Sequence, residues 1–172
     1  MLGADPATIL IPNSAIPDSV GLQTAPTAFC LLHALASLQQ ARIDAYRAFE
    51  AGFATYIARP PLSSSDDETF ESLITDTTIL FADLSREANV IARRLREEPV
   101  ARPDLADMVA DLQALEKKKL ETTVQYQVGQ TETVFGTRDF TEEVATLKAQ
   151  LVGVGQAVLD KWEDIRAEMA EL

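Results

Sequence analysis

The stretch that decides the fold is residues 139–172, DFTEEVATLKAQLVGVGQAVLDKWEDIRAEMAEL. Its apolar residues follow one another at steps of three or four: Phe140, Val144, Leu147, Leu151, Val154, Val158, Trp162, Ile165, Met169 and Leu172. This spacing predicts a helix over about 139–171 with one apolar seam, of the kind found in coiled coils. Because such a seam must be covered, it predicts a neighbouring helix, either in the same chain or in a second chain.

The same spacing recurs in three earlier stretches and predicts helices over about 27–58, 66–97 and 103–130. Pro99 interrupts the chain between the second and third helices, and Pro103 suits the first position of the third. No stretch alternates with the period of two that a half-buried strand requires. The fold class is therefore all-α. Since short loops place consecutive helices side by side, four long helices in antiparallel hairpins form an elongated or coiled-coil-like bundle.

Residues 1–25 differ in composition from the rest of the chain. They hold three prolines and only two charged residues, Asp5 and Asp18, yet they carry several isoleucines and leucines. Spaced prolines favour extended backbone and exclude a regular helix. We predict that residues 1–25 form an extended segment lying along a groove, on its own domain or on a partner, and that residues 26–172 form a single helical domain.

The composition excludes several classes of function. The 172 residues include 27 Asp and Glu against 15 Lys and Arg, a net charge of −12. That charge repels phosphate backbones, so tight nucleic-acid binding is not expected. No apolar run reaches the roughly 20 residues of a spanning helix, so no membrane contact is expected. The absence of Lys and Arg from residues 1–41 excludes a secretory signal and a mitochondrial presequence, which predicts a nuclear or cytoplasmic protein.

Few residues could carry out chemistry. The chain has one cysteine, Cys30, and one histidine, His33, so it cannot build a Cys/His zinc site or an internal disulfide. We expect Cys30 to be a small buried hydrophobe. The acidic clusters at 66–71 and 160–164 fall in first turns or on outer helix faces, where solvated surface is expected. The sequence thus predicts no catalytic residue, no metal site, no cofactor and no enzyme activity.

Two groups of apolar residues are candidates for binding a protein partner. Aromatic residues concentrate on the first helix, where core packing is the simpler interpretation and a tyrosine-bearing interface is the alternative: Tyr46, Phe49, Phe53 and Tyr56. The seam of the fourth helix runs on to Leu172, which predicts a partner or a homodimer through that helix: Val158, Trp162, Ile165 and Met169.

The order of residues along the first three helices resembles a known family. The first helix contributes Leu38, Gln39, Arg42, Tyr46, Phe49, Glu50, Gly52, Phe53 and Tyr56. The second contributes Phe70, Leu73, Thr77, Phe81, Ser85 and Ile91, and the third Leu105, Leu112, Gln113, Leu115, Glu116, Lys117, Leu120 and Thr122. Over about residues 28–128 the chain resembles the B-type "required for excision" DNA-repair family of small helical proteins. The resemblance implies a role in nucleotide-excision repair and carries over no catalytic residue.

Two hypotheses follow. In the first, the protein is a non-enzymatic helical adaptor or scaffold subunit of a larger repair complex, and its partners bind its helix faces and its Pro-rich segment. In the second, it is an architectural coiled-coil subunit of a cytoskeletal or ciliary assembly. The two hypotheses differ in location, because the first predicts the nucleus and the second predicts the cytoskeleton or cilium.

Overall fold

The computed structural model describes residues 26–58 and 64–172, except for the side chains of residues 64–67. The predictions for residues 1–25 lie outside these residues. The described chain folds into four helices: α1 (Ala28–Ile57), α2 (Ser64–Arg96), α3 (Pro103–Phe135) and α4 (Thr141–Ala170). No strand occurs in this part of the chain. The all-α prediction is confirmed.

Local chemistry explains where the helices begin. Thr27 caps α1, because its hydroxyl oxygen accepts a hydrogen bond from the N–H of Cys30 at 3.2 Å. Pro103 opens α3, where a missing N–H costs nothing. The Asp139 carboxylate accepts from the N–H and the hydroxyl of Thr141, at 2.9 and 2.6 Å, at the start of α4.

The expected end of the third helix is wrong, and two glycines lie inside helices. The third helix does not end near residue 130 but passes through Gly129 and ends at Phe135. A Cβ at Gly129 would lie 3.0 Å from Val144 Cγ2, so this glycine lets α3 and α4 approach closely. Gly52, inside α1, faces the side chain of Leu73 on α2, which a Cβ would overlap.

Consecutive helices run antiparallel. Between α1 and α2, Tyr46 lies beside Phe81, and Phe53 beside Phe70, so residue numbers rise on one helix as they fall on the other. Between α3 and α4, Arg102 pairs with Glu168, and Asp111 with Lys161. The first and last helices touch each other little, since α1 packs mainly on α2 and α4 mainly on α3. The bundle is therefore open along its α1–α4 side.

All four helices share one aliphatic core near the α2–α3 turn. Its fully buried members include Leu32, Leu35, Leu95, Leu105 and Ile165. Val158 is also buried in this core, and Trp162 and Met169 pack against it half-buried. From Val154 to Met169 the seam of α4 is thus covered by helices of the same chain, whereas Leu172 is exposed.

Candidate functional site

A buried charge lies in the middle of the bundle. Arg42 projects from α1 and is only 2% exposed. One of its terminal nitrogens donates to Gln39 Oε1 at 2.9 Å, and the other donates to Gln113 Oε1 at 3.2 Å and to Ser85 Oγ at 3.4 Å. The guanidinium thus connects α1, α2 and α3 at one level.

Glu116 on α3 provides the opposite charge. Its Oε1 lies 3.7 Å from an Arg42 nitrogen and accepts a hydrogen bond from Gln39 Nε2 at 3.0 Å. Glu116 is 7% exposed, so the pair is almost fully removed from water. We call Gln39, Arg42, Ser85, Gln113 and Glu116 the polar network. A buried ion pair persists only when hydrogen bonds satisfy its remaining atoms, which Gln39 and Gln113 do in part.

Three buried atoms at the network make no hydrogen bond to any described residue: Tyr46 Oη, Gln113 Nε2 and Glu116 Oε2. They provide a hydroxyl, an amide donor and a carboxylate acceptor. Burial raises the pKa of the Tyr46 hydroxyl well above its ordinary value, and the negative charge of Glu116 raises it further. Tyr46 is therefore held in its neutral form. The ammonium of Lys119 lies 3.9 Å from the centre of the Tyr46 ring, a favourable cation–π contact.

All residues of the polar network except Gln39 lie at the base of a pocket between α2 and α3, with a volume of about 320 Å³, which we call the α2–α3 pocket. Its lining consists of Arg42, Tyr46, Phe81, Ser85, Asn89, Gln113, Ala114, Glu116, Lys117 and Leu120. Of these ten residues, all but Asn89 and Ala114 are among those through which the sequence resembles the repair family. Residues that are far apart in the sequence thus meet in one place.

A second opening, of about 540 Å³, lies where α1 and α4 separate; we call it the α1–α4 groove. Its apolar wall is formed by Phe53, Ala54 and Ile57 of α1 and by Leu151 and Val152 of α4. Its other lining residues are polar or aromatic: Glu50, Lys119, Thr123, Tyr126, Gln127, Gln130 and Lys148.

The aromatic candidates on α1 lie mostly inside the bundle. Tyr46, Phe49 and Phe53 are buried, and Tyr56 is half-buried. Phe70 of α2 stacks on the Tyr56 ring, with 4.2 Å between the ring centres. Core packing, the simpler interpretation, describes their environment. Their role in binding a partner stays a prediction, as does that of the α4 residues Val158, Trp162, Ile165 and Met169, which face the core.

The single cysteine, Cys30, and the single histidine, His33, lie on the outside of the first turns of α1. Cys30 is exposed, so the expectation that it is buried is wrong. The wrong expectation arose because the apolar stripe passes beside Cys30 through Leu31 and Leu32. His33 is exposed as well. Among the described residues, no three metal-ligating side chains cluster, and none of the four helices is long and apolar enough to cross a membrane.

A family model described as DNA repair REX1-B matches residues 30–130. The match covers more than half of the chain, and its limits agree within two residues with the region 28–128 that carries the resemblance. It includes most of α1, all of α2 and most of α3, which together form the polar network and the α2–α3 pocket, and it excludes α4. No curated protein and no solved structure matches the chain.

Proposed function

Because this chain belongs to the DNA repair REX1-B family, we propose that it acts in nucleotide-excision repair as a non-enzymatic helical adaptor. In this proposal it works in the nucleus as a subunit of a larger complex and binds other proteins, not DNA. The observation that carries the proposal is the α2–α3 pocket, where eight residues of the family pattern form one surface.

The chemistry of the pocket favours a protein partner. Arg42 and Glu116 neutralise each other, so the base of the pocket carries no net charge that would attract a phosphate. Lys117, at the wall, pairs with Glu121 at 3.9 Å. Farther along the hairpin, Ile74 on α2 is exposed, and α3 has exposed valines beyond Leu120. A polar recess beside exposed aliphatic side chains suits the mixed surface of a protein segment.

The rim of the pocket allows a test that spares the core. Ala114 lines the pocket but is itself exposed, so Ala114→Trp fills the opening without displacing a buried side chain. Ala167→Trp is the matched control, because Ala167 is exposed on α4 and does not line the pocket. Each variant is expressed in cells that lack the protein, and removal of ultraviolet photoproducts from DNA is measured. Circular dichroism and melting temperature show that both variants fold.

We expect Ala114→Trp to fail to restore lesion removal and Ala167→Trp to restore it. Equal restoration by both variants would refute the pocket as the working surface. Normal lesion removal in cells without the protein would refute the role in repair.

Two further measurements separate the alternatives. The purified chain is expected to bind bare duplex DNA weakly at physiological salt, because a net charge of −12 opposes association. A fluorescently tagged chain is expected in the nucleus. Accumulation on the cytoskeleton or in cilia would favour the architectural hypothesis.

A further inference from the structure

Exposed apolar residues lie beyond the α1–α4 groove on both helices. On α4, Val152 is 71% exposed and Leu159 is 53% exposed. These two residues are seven apart, which is close to two helical turns, so they lie on one face. On α1, Phe29 is 47% exposed and Ile43 is 40% exposed.

Three apolar residues of α1 lie on one face of the helix, which also carries Gln40 and Arg47. Phe29, Ile43 and Ala54 are separated by 14 and 11 residues, which are close to four and three whole turns. Because Ala54 lines the groove, this face extends from the first turn of α1 to the groove itself. Covering its exposed apolar side chains with an apolar segment would be favourable, because apolar surface would leave water.

Two lysines at the groove lack a carboxylate partner among the described residues. Among the described residues, most cations lie within 4 Å of a carboxylate, as Arg86 does of Asp83 and Lys161 of Asp111. Lys119 and Lys148 both line the groove, and neither forms such a pair with any described carboxylate. With Glu50 as the only acid in the lining, the groove carries a net positive charge within a chain of net charge −12.

We propose that residues 1–25 of this chain bind in the α1–α4 groove. Their only charges are negative, at Asp5 and Asp18, and their apolar residues are Ile and Leu at 9–11 together with Ile16, Val20 and Leu22. Apolar side chains matched with acidic charge are what the groove requires. The inference goes beyond the proposed function, since it holds whether or not the protein acts in repair.

The length of the segment agrees with this placement. From Ala28 to Phe53 the α1 axis advances about 38 Å, at about 1.5 Å per residue. Extended backbone covers that distance in about 12 residues, at about 3.3 Å each. Counting back from Pro26, residues near 14 therefore reach the groove, and the apolar residues 9–16 lie on either side of that point. By the same count, Asp18 lies at the level of Tyr46, where Lys119 covers the ring.

A tethered segment also has an advantage over other occupants. It is present at an effective concentration on the order of millimolar, without a second molecule. A second copy of the chain brings another −12 of charge and is repelled. The bound segment would exclude other proteins from the groove until it is displaced.

Disulfide trapping in the full chain tests the proposal. The natural thiol is removed by Cys30→Ser, and Ile11→Cys is combined with Val152→Cys in the groove. The control combines Ile11→Cys with Ala82→Cys, an exposed site on α2 outside the groove. Circular dichroism establishes that both chains fold, and mass spectrometry separates bonds within a chain from bonds between chains. We expect the groove pair to form its intramolecular bond at least tenfold faster than the control pair. Equal rates, or bonds mainly between two copies, would overturn the proposal.

Thiol footprinting gives a second measurement. With Val152→Cys as the only cysteine, we measure the rate of alkylation in the full chain. Replacing Ile9, Leu10 and Ile11 by serine is expected to raise this rate at least threefold and to leave the rate at an Ala82→Cys site unchanged. An unchanged rate at position 152 would show that residues 1–25 do not cover the groove.

Discussion

The buried ion pair of the polar network predicts a strong energetic coupling between two residues 74 positions apart. The perturbations are Arg42→Met, Glu116→Met and the two combined. Methionine is long, unbranched and uncharged, so it replaces most of the volume of either side chain. Each single variant leaves the other residue of the pair charged and more than 90% buried, without its partner.

The magnitude follows from the geometry. Two unit charges 3.7 Å apart attract by about 4 kcal/mol at an effective dielectric constant of about 20. Removing one member of a buried pair costs about 3–5 kcal/mol, because the remaining charge is uncompensated. The double variant leaves no buried charge, but it leaves Gln39 and Gln113 without their charged partners, at about 1–3 kcal/mol each. We therefore expect the double variant to be destabilised by about 2–6 kcal/mol, less than the sum of the two single effects, which is about 6–10 kcal/mol.

Urea unfolding followed by circular dichroism at 222 nm measures all four free energies of unfolding. With a slope of about 2 kcal/mol per molar, each single variant shifts the midpoint downward by about 1.5–2.5 M. The reasoning fails if the two single effects add up in the double variant within about 0.5 kcal/mol, because independent sites behave in that way. A control pair, Arg86→Met with Asp83→Met, is exposed and should change stability by less than about 1 kcal/mol.

Three further predictions concern single side chains. Tyr46→Phe should change stability little at pH 7, because the Tyr46 hydroxyl bonds to no described residue. The raised pKa of Tyr46 makes the wild-type protein lose stability above about pH 10, where the unfolded chain releases this proton more readily. The variant should lose less stability between pH 7 and pH 10.5, and urea unfolding at both pH values measures this difference. Gly153→Ala should raise the free energy of unfolding, measured with urea, by about 1 kcal/mol, because alanine favours the helix and no atom lies within 4 Å of the added methyl group. A lower free energy of unfolding would reveal a neighbour at that site. Asp139→Ala should lower the melting temperature at pH 7. Since hydrogen bonds from Thr141 lower the pKa of Asp139, the stability that the Asp139 carboxylate contributes is lost as pH falls. If the variant melted below the wild type by the same number of degrees at pH 2.5 as at pH 7, this account would be contradicted.

The sequence predicted the helices well because burial imposes the helical period on long stretches. Four helices, their antiparallel order and the DNA-repair family are confirmed. The end of α3 was misplaced because a glycine weakens a helix by only about 1 kcal/mol. Contact with Val144 near Gly129 compensates for this cost, and no local pattern reveals that contact.

The sequence does not predict the polar network, although all five of its residues are among those through which the chain resembles the family. A charged residue in a helix is ordinarily at the surface, so the pattern alone does not reveal burial. One signal was available: Glu116 continues the core positions Leu105 and Leu112 at helical spacing, which places a carboxylate where an aliphatic residue is expected.

The Arg42–Glu116 contact also limits how the helices can slide past one another. Leucines and valines tolerate displacement of one helix along another, since any apolar neighbour is acceptable to them. A slide of α3 by one turn moves Glu116 by about 5 Å and leaves two unmatched charges in the interior. The contact therefore fixes the axial alignment of α1 and α3, and through Ser85 that of α2, in a bundle whose aliphatic residues alone would allow several alignments.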